Sequence, residues 1–269
     1  MEKIAIISDV HANITALNAV LKDISDRNIK RIFCLGDSVG KGVNPALVFD
    51  KLKEICEVIL IGNVDYILCR PEAKHKNFWS RVKIGEERAN YVFNLPKSFE
   101  FYMSGHLIRL FHASPHNLDG IYNPLLSDES PSSEINLEVP ELLFENTNFI
   151  GKTQNDPIPD IVGYGHLHTP FIVRHKNKTI FNVGSVGASV EMLNSSVDDN
   201  SNKFSTLASY MVLEGNYDCK DLGSISFNLI RVPYDIEKEI ANLEASDIPR
   251  KDLTIRSLKG ALPTSYTEF

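Results

Sequence analysis

The stretch that decides the fold is Lys3–Ile61. It begins with KIAIIS (Lys3–Ser8), an apolar, β-branched run that stops at Asp9-Val10-His11. Ile14–Arg27 follows, with Leu17, Val20, Leu21 and Ile24 at helical spacing. RIFCL (Arg31–Leu35) is a second apolar run. Pro45–Glu54 reads as a helix with proline at its start and Leu47, Val48 and Leu52 facing inward. EVILI (Glu57–Ile61) is a third run. Strand, helix, strand, helix, strand predicts right-handed βαβ crossovers and a mainly parallel, buried sheet.

Beyond this core the pattern loosens. Phe78–Leu95 has helical spacing, and Glu134–Phe149 has it more weakly because of Pro140. Phe99–Ser104 and Leu107–Phe111 flank Gly105 as a hairpin, and Phe171–Arg174 and Thr179–Asn182 flank HKNK as another. Ile161–Tyr164, Leu207–Leu213 and Ser224–Val232 read as strands. Ser127–Ser133 and Ser195–Ser205 are polar and turn-rich. Asp235–Ala245 and Lys251–Lys259 read as closing helices. The expected organisation is one α/β domain over residues 1–234 with a small C-terminal helical extension of the same domain over 235–269.

A chain of 269 residues buries a sizeable core without staples. Its hydrophobic fraction of 43% and charged fraction of 23% exclude a disordered chain and a membrane bundle. No apolar run approaches the ~20 residues of a membrane span. The N-terminal run is too short for a signal peptide. Cys34, Cys56, Cys69 and Cys219 form no CxxC pair, which fits reduced thiols and a cytoplasmic protein. A net charge of −7 argues against a long nucleic-acid duplex as partner. It leaves room for a small phosphorylated ligand if a metal supplies the positive charge.

Five apolar runs end alike. KIAIIS leads into Asp9-Val10-His11, RIFCL into Gly36-Asp37, EVILI into Gly62-Asn63, LIRLF into His112, and DIVGY into Gly165-His166-Leu167-His168. In open α/β sheets ligands bind beyond the carboxyl ends of the strands, so five distant segments deliver donors to one edge. The set is Asp9, His11, Asp37, Asn63, His112, His166 and His168. Imidazole, carboxylate and amide oxygen without thiolate suit divalent Mn, Fe, Zn or Ni. Seven donors are too many for one ion and natural for two that share a carboxylate.

The ordered series DxH, GD, GN, H, GHxH resembles the calcineurin-like metallophosphoesterases from Asp9 to Gly187, with NVGSVG (Asn182–Gly187) as a further match. GDSVGKGVNP (Gly36–Pro45) and HASP (His112–Pro115) are similar to the small bacterial phosphodiesterase branch. The resemblance implies a four-layer α/β/β/α sandwich. It implies that Asp9, His11, Asp37 and His168 hold a first metal, that Asp37 bridges, and that Asn63, His112 and His166 complete a second. Asp37, Asn63 and His112 are the residues it places closest to the chemistry. It implies two divalent ions, manganese favoured, and attack on phosphorus by the hydroxide they share.

One departure matters. Many members carry a histidine after the GN asparagine, where this chain has Val64. A missing general acid costs typically 10²–10⁴-fold when the leaving group needs a proton. Val64 therefore favours small phosphodiesters or nucleotide anhydrides, a dinucleoside polyphosphate among them. The alternatives are a phosphomonoesterase or protein phosphatase, and a non-catalytic metal-binding scaffold of the same fold. Substrate-shaping residues are expected in Cys69–Leu95 and Leu125–Asn155.

Other residues read more plainly. Asn13 precedes a helical run and is an expected N-cap. Asp65 leans to a structural role and Ser185 to a turn. Lys41 either contacts phosphate or is solvated, and His116 either lines the entrance or is plain loop. Trp79 reads as packing. His75, His106 and His175 fall in expected loops or turns.

Overall fold

The computed structural model describes residues 1–72, 78–120, 140–191 and 203–259. The expected polar stretch 127–133, most of 195–205, the first part of 134–149 and His75 lie outside the described residues. So does part of the Leu125–Asn155 stretch.

Two five-stranded sheets pack face to face. In the first, β1 (Glu2–Ile7), β2 (Arg31–Cys34) and β3 (Val58–Ile59) run parallel, joined by α1 (Ile14–Asp26) and α2 (Pro45–Ile55). The strands β11 (Leu207–Gly215) and β12 (Ser226–Pro233) extend this sheet antiparallel beyond β1. In the second sheet, β5 (His106–Phe111), β6 (Ile161–Tyr164) and β8 (Lys178–Asn182) are parallel neighbours. Its edges are β4 (Ser98–Met103), antiparallel to β5, and β7 (Phe171–His175), antiparallel to β8. The expectation of parallel crossovers holds for β1–β3. Both sheets are nevertheless mixed, because each hairpin adds an antiparallel edge.

Strand alternation explains the layers. Ile4 and Ile6 of β1 point between the sheets, where they meet Phe33, Met211, Phe101, Ile108 and Phe181. Ala5 and Ile7 point the other way, onto Leu17, Val20, Val48 and Leu52 of α1 and α2. Each fully buried Ile, Leu or Phe contributes about 1.5–3 kcal/mol relative to exposure. The outer face of the second sheet buries Phe111, Val162, Tyr164 and Ile180 under Leu143 and Phe144. The last two sit in a 3₁₀ turn, Pro140–Phe144, and a shorter one follows at Asn148–Ile150. The expected α-helix 134–149 is thus a pair of tight turns over its described part.

The expected helix Phe78–Leu95 also divides. Gly85 takes φ +81° and ψ 158°, which no helix allows, and separates α4 (Trp79–Ile84) from α5 (Glu86–Phe93). EVILI ladders at Val58 and Ile59, the Leu60 amide still donates to the Cys34 carbonyl of β2, and the run leaves the sheet at Ile61, whose amide donates to the Pro96 carbonyl. The hairpin β9 (Val190–Glu191) and β10 (Lys203–Phe204) stands apart as a two-stranded ribbon. The extension forms α6 (Ile236–Glu244) and α7 (Lys251–Leu258). Its buried Ile240, Leu243, Ile248 and Leu258 pack with Val43 and Trp79, which ties it to the edge of the first sheet's loops. No helix among the described residues is long and apolar enough to cross a membrane.

Candidate metal centre

All seven donors arrive on one edge because each follows a strand. Asp9 and His11 follow β1, and Asp37 follows β2. Asn63 opens α3 (Asn63–Cys69) after β3, while His112 follows β5 and His166 and His168 follow β6. The loops lock one another: the amides of Asp9, His11 and Gly165 donate to the carbonyls of Gly36, Asp37 and His112, each at 2.9 Å. This cross-linking holds a strained backbone. Asp9, His11, Asp37, His166 and His168 all lie at positive φ, between 49° and 63°. Left-handed backbone at a non-glycine residue costs about 1–3 kcal/mol and persists where the surroundings over-determine it.

The side chains meet closely. His11 Nε2 lies 3.0 Å from His168 Nε2, and Asp9 Oδ1 lies 3.7 Å from the first and 3.2 Å from the second. Asp37 Oδ2 stands 3.8 Å from His11 Nε2 and 3.7 Å from His112 Nε2. Asn63 Oδ1 is 3.0 Å from His112 Nε2, and the His166 ring packs edge-on to His112 with centroids 5.3 Å apart. Two groupings have metal-ligand geometry: Asp9, His11 and His168, and Asp9, Asp37 and His112, all buried.

These groups fit cations. The Nδ1 atoms of His168 and His112 donate to the carbonyls of Ala188 (2.7 Å) and Leu35 (3.0 Å). A carbonyl only accepts, so both rings turn a bare Nε2 lone pair inward, the tautomer a ligating histidine needs. The His168 lone pair faces Asp9 Oδ1, and that oxygen is buried without a hydrogen-bond partner. Two acceptors this close repel unless a cation lies between them.

Electrostatics points the same way. Burial pushes the His11, His166 and His168 imidazoles down, His166 to about 3, so all three are neutral and able to ligate near neutral pH. Burial also opposes charge on Asp9, but His168 and the other histidines outweigh it and hold that carboxyl below its usual range. Burial and then the Asp9 charge push Asp37 well above it. Lys41, part-buried at φ +57°, faces the same cluster, and its charge helps to depress His11 and His168. It is not the solvated lysine that was one of its two readings.

The supporting residues match their plainer readings. Asn13 caps α1 by accepting from the Ala16 amide at 2.9 Å. Asp65 accepts from the Ser38, Val39 and Gly62 amides and so braces the loop that carries Asp37. Ser185 donates to the Asp9 carbonyl at 2.8 Å. Trp79 packs against the extension and donates to Asp247. His116 lies 3.3 Å from Glu145, outside the donor cluster. Two expectations fail: His175 ends β7, where it meets Glu141 at 2.9 Å, and His106 begins β5, so neither is a loop or turn residue. Val64 contributes its backbone amide, which donates to Asp37 Oδ1 at 2.9 Å, while its side chain packs over Gly40.

One part of the site was not anticipated. A cavity of about 40 Å³ lies beside His11 and Lys41. Its far walls are Tyr234, Glu239, Thr254, Ser257 and Leu258, all from the C-terminal end of the chain. A signal existed in the sequence. Ile236, Glu239, Ile240 and Leu243 form one helical stripe, and a glutamate there sits where the pattern asks for an apolar side chain.

Comparison with known proteins agrees with the geometry. Residues 2–198 match the model of the calcineurin-like phosphoesterase superfamily domain. The chain is 29% identical over 269 aligned residues to the uncharacterized protein MJ0912 of Methanocaldococcus jannaschii, covering 91% of this chain and 93% of that one. A metallophosphoesterase from Sphaerobacter thermophilus shares the fold with a TM-score of 0.65 at 23% identity, over 96% of this chain and 98% of that one. Protein PH1004 from Pyrococcus horikoshii OT3 does so with a TM-score of 0.66 at 15% identity and the same coverage. The matched span takes in every donor from Asp9 to His168, and the chain therefore belongs to the calcineurin-like phosphoesterase superfamily, a family of phosphoester hydrolases that use divalent metals.

Proposed function

We propose that this protein is a phosphodiesterase that hydrolyses small phosphodiesters or nucleotide anhydrides with two divalent metals, manganese favoured. Asp9, His11 and His168 would hold one ion, and Asn63, His112 and His166 the other. Asp37, with one oxygen nearly equidistant from His11 and His112, would serve both. When bound, two such ions polarise phosphoryl oxygens and lower the pKa of a shared water.

The chain's own residues set the rest. The carbonyls of Leu35 and Ala188 hold His112 and His168 in the ligating tautomer. The Val64 amide and the Asp65-braced loop fix Asp37 in place. Lys41, close enough to the donor cluster to depress His11, would meet the substrate's phosphoryl oxygens. Preorganised charge of this kind is usually the largest single contribution to catalysis.

The observation that carries the diesterase reading is Val64. After Asn63 the chain offers a backbone amide already bonded to Asp37 and an apolar side chain. Nothing at that position hands a proton to a poor leaving group, which suits diesters and anhydrides better than alkyl monoesters. Small phosphorylated compounds, including nucleotides and dinucleoside polyphosphates, are the substrates this reading implies. Protein loaded with Mn²⁺ should hydrolyse bis(p-nitrophenyl) phosphate faster than p-nitrophenyl phosphate. Equal rates or the reverse order would assign it to monoesters instead.

A further inference from the structure

One wall of the cavity beside His11 is Glu239, a carboxyl with one oxygen that lacks a hydrogen-bond partner. Glu239 is 1% exposed. Its Oε2 accepts from Thr15 Oγ1 at 2.6 Å and from Asn242 Nδ2 at 3.3 Å. Its Oε1 is buried without a hydrogen-bond partner. An unmade hydrogen bond at a buried acceptor is costly, and in native structures such an atom calls for an explanation. The stripe position makes the carboxyl more notable, since leucine there would continue the packing of Ile240 and Leu243.

The surroundings say what would satisfy it. The cavity has room for about three water molecules, at ~10–15 Å³ each. That is the size of a three-carbon polyol or one side of a pentose. Its walls carry hydroxyls from Ser189, Tyr234, Thr254 and Ser257. Lys41, which lines the same space, disfavours a cation there. A hydroxyl both donates and accepts, so it bonds a carboxyl and serine or threonine hydroxyls together. His11 belongs to both the cavity wall and the donor cluster, so a group seated here would lie beside a phosphorus held at the metals. Thr254 bonds the Lys41 carbonyl at 3.4 Å, which fixes α7 against the loop that carries the lysine.

We propose that this cavity is the subsite for one ester arm of the substrate, that it takes a small polyhydroxylated group, and that Glu239 Oε1 accepts one of its hydroxyls. This rests on the phosphodiesterase reading and adds the chemistry of the arm. It makes the C-terminal extension part of substrate recognition.

Two mixed diesters with one chromogenic leaving group test it: p-nitrophenyl glyceryl phosphate and p-nitrophenyl propyl phosphate, given to the Mn²⁺-loaded full chain. They differ only in the hydroxyls of the retained arm. The glyceryl ester should have the higher kcat/KM, by about 10–100-fold for a hydrogen bond to a buried charged acceptor. In Glu239→Leu that ratio should collapse toward one, and Glu239→Gln, which keeps an acceptor oxygen, should recover part of it. Ser257→Leu, which fills the cavity, should collapse it independently, with thermal melts confirming that each variant folds. Equal kcat/KM for the two esters in the unaltered protein would overturn the subsite and leave the phosphodiesterase reading intact. If metal binds and neither ester is cleaved, the phosphodiesterase reading fails. The subsite is then decided by titration calorimetry with glycerol 3-phosphate and propyl phosphate. Tighter binding of the first, lost in Glu239→Leu, supports it, and equal affinity overturns it.

Discussion

The Nε2 atoms of His11 and His168 lie 3.0 Å apart although 157 residues separate them in the chain. Both rings are buried and neutral, and Asp9 Oδ1 lies within 3.7 Å of each. The fold brings three ligand atoms together at a point where no protein donor satisfies Asp9 Oδ1.

Metal should therefore stabilise the fold as well as enable chemistry. A ligand at about 100 times its Kd adds ~2.7 kcal/mol, and a domain of this size gains roughly 2–4 °C per kcal/mol. Chelation should lower the melting temperature by roughly 5–10 °C in the unaltered protein. His168→Ala, which disables one of the two proposed ion sites, should show a clearly smaller shift on chelation, as read by differential scanning fluorimetry.

Asp37 makes metal uptake pH-dependent. Burial and the Asp9 charge raise its pKa, so in metal-free protein it keeps its proton at pH values where an ordinary aspartate is ionised. Metal binds the ionised form, so affinity rises with pH until that raised pKa is passed, and each binding event below it releases a proton. His11, His166 and His168 add little near neutral pH, since burial holds all three imidazoles below their usual range, His166 at about 3. Calorimetry at pH 6 in buffers of different ionisation enthalpy should show proton release, and Asp37→Asn should abolish it.

Gly62 is the tightest contact on the aspartate. A Cβ there would lie 2.1 Å from Asp37 Oδ1 and 2.4 Å from the Asp37 amide nitrogen. Its φ of −97° is open to any residue, so the constraint is purely steric. Gly62→Ala should displace Asp37 and weaken metal binding by about 10–100-fold, the scale seen when a ligand's support is lost. Plasma emission analysis after gel filtration should find less metal per chain, with far-ultraviolet circular dichroism unchanged.

The core and the donor set were legible because both rest on local contrast. Parallel strands buried on two faces leave unbroken apolar runs, and a lone aspartate or histidine at the end of such a run stands out. The break at Gly85 was less legible, because helical spacing of apolar residues survives a break that one backbone angle decides. The role of Lys41 was undecided for a different reason. Whether a loop lysine is solvated depends on what folds over it, and here α7 arrives from more than two hundred residues away. Glu239 carried a signal in its stripe, but only the cavity beside His11 gives that signal meaning.

Arg109 fastens the second sheet close to His112 in the chain. It lies in β5 three residues before that histidine and is completely buried. Its Nε donates to Glu100 Oε1 at 2.6 Å, Nη1 to the Glu145 carbonyl at 2.7 Å and Nη2 to Asn146 Oδ1 at 2.5 Å. Lys152 pairs with the other Glu100 oxygen. The arginine thus ties the β4–β5 hairpin to the segment after Phe144. Arg109→Ala empties the volume of a fully buried side chain and takes the donor from the Glu145 carbonyl and Asn146 Oδ1, at about 3–5 kcal/mol, while Lys152 still balances Glu100. Arg109→Ala should lower the melting temperature of chelator-treated protein by roughly 10 °C. Arg109→Met, which refills most of that volume and leaves the Glu100–Lys152 pair in place, should lose less than Arg109→Ala. Chelation should still shift the melt of both, because none of these groups touches the metal-binding side chains. A loss of that shift would place Arg109 in the support of His112 rather than in the sheet alone.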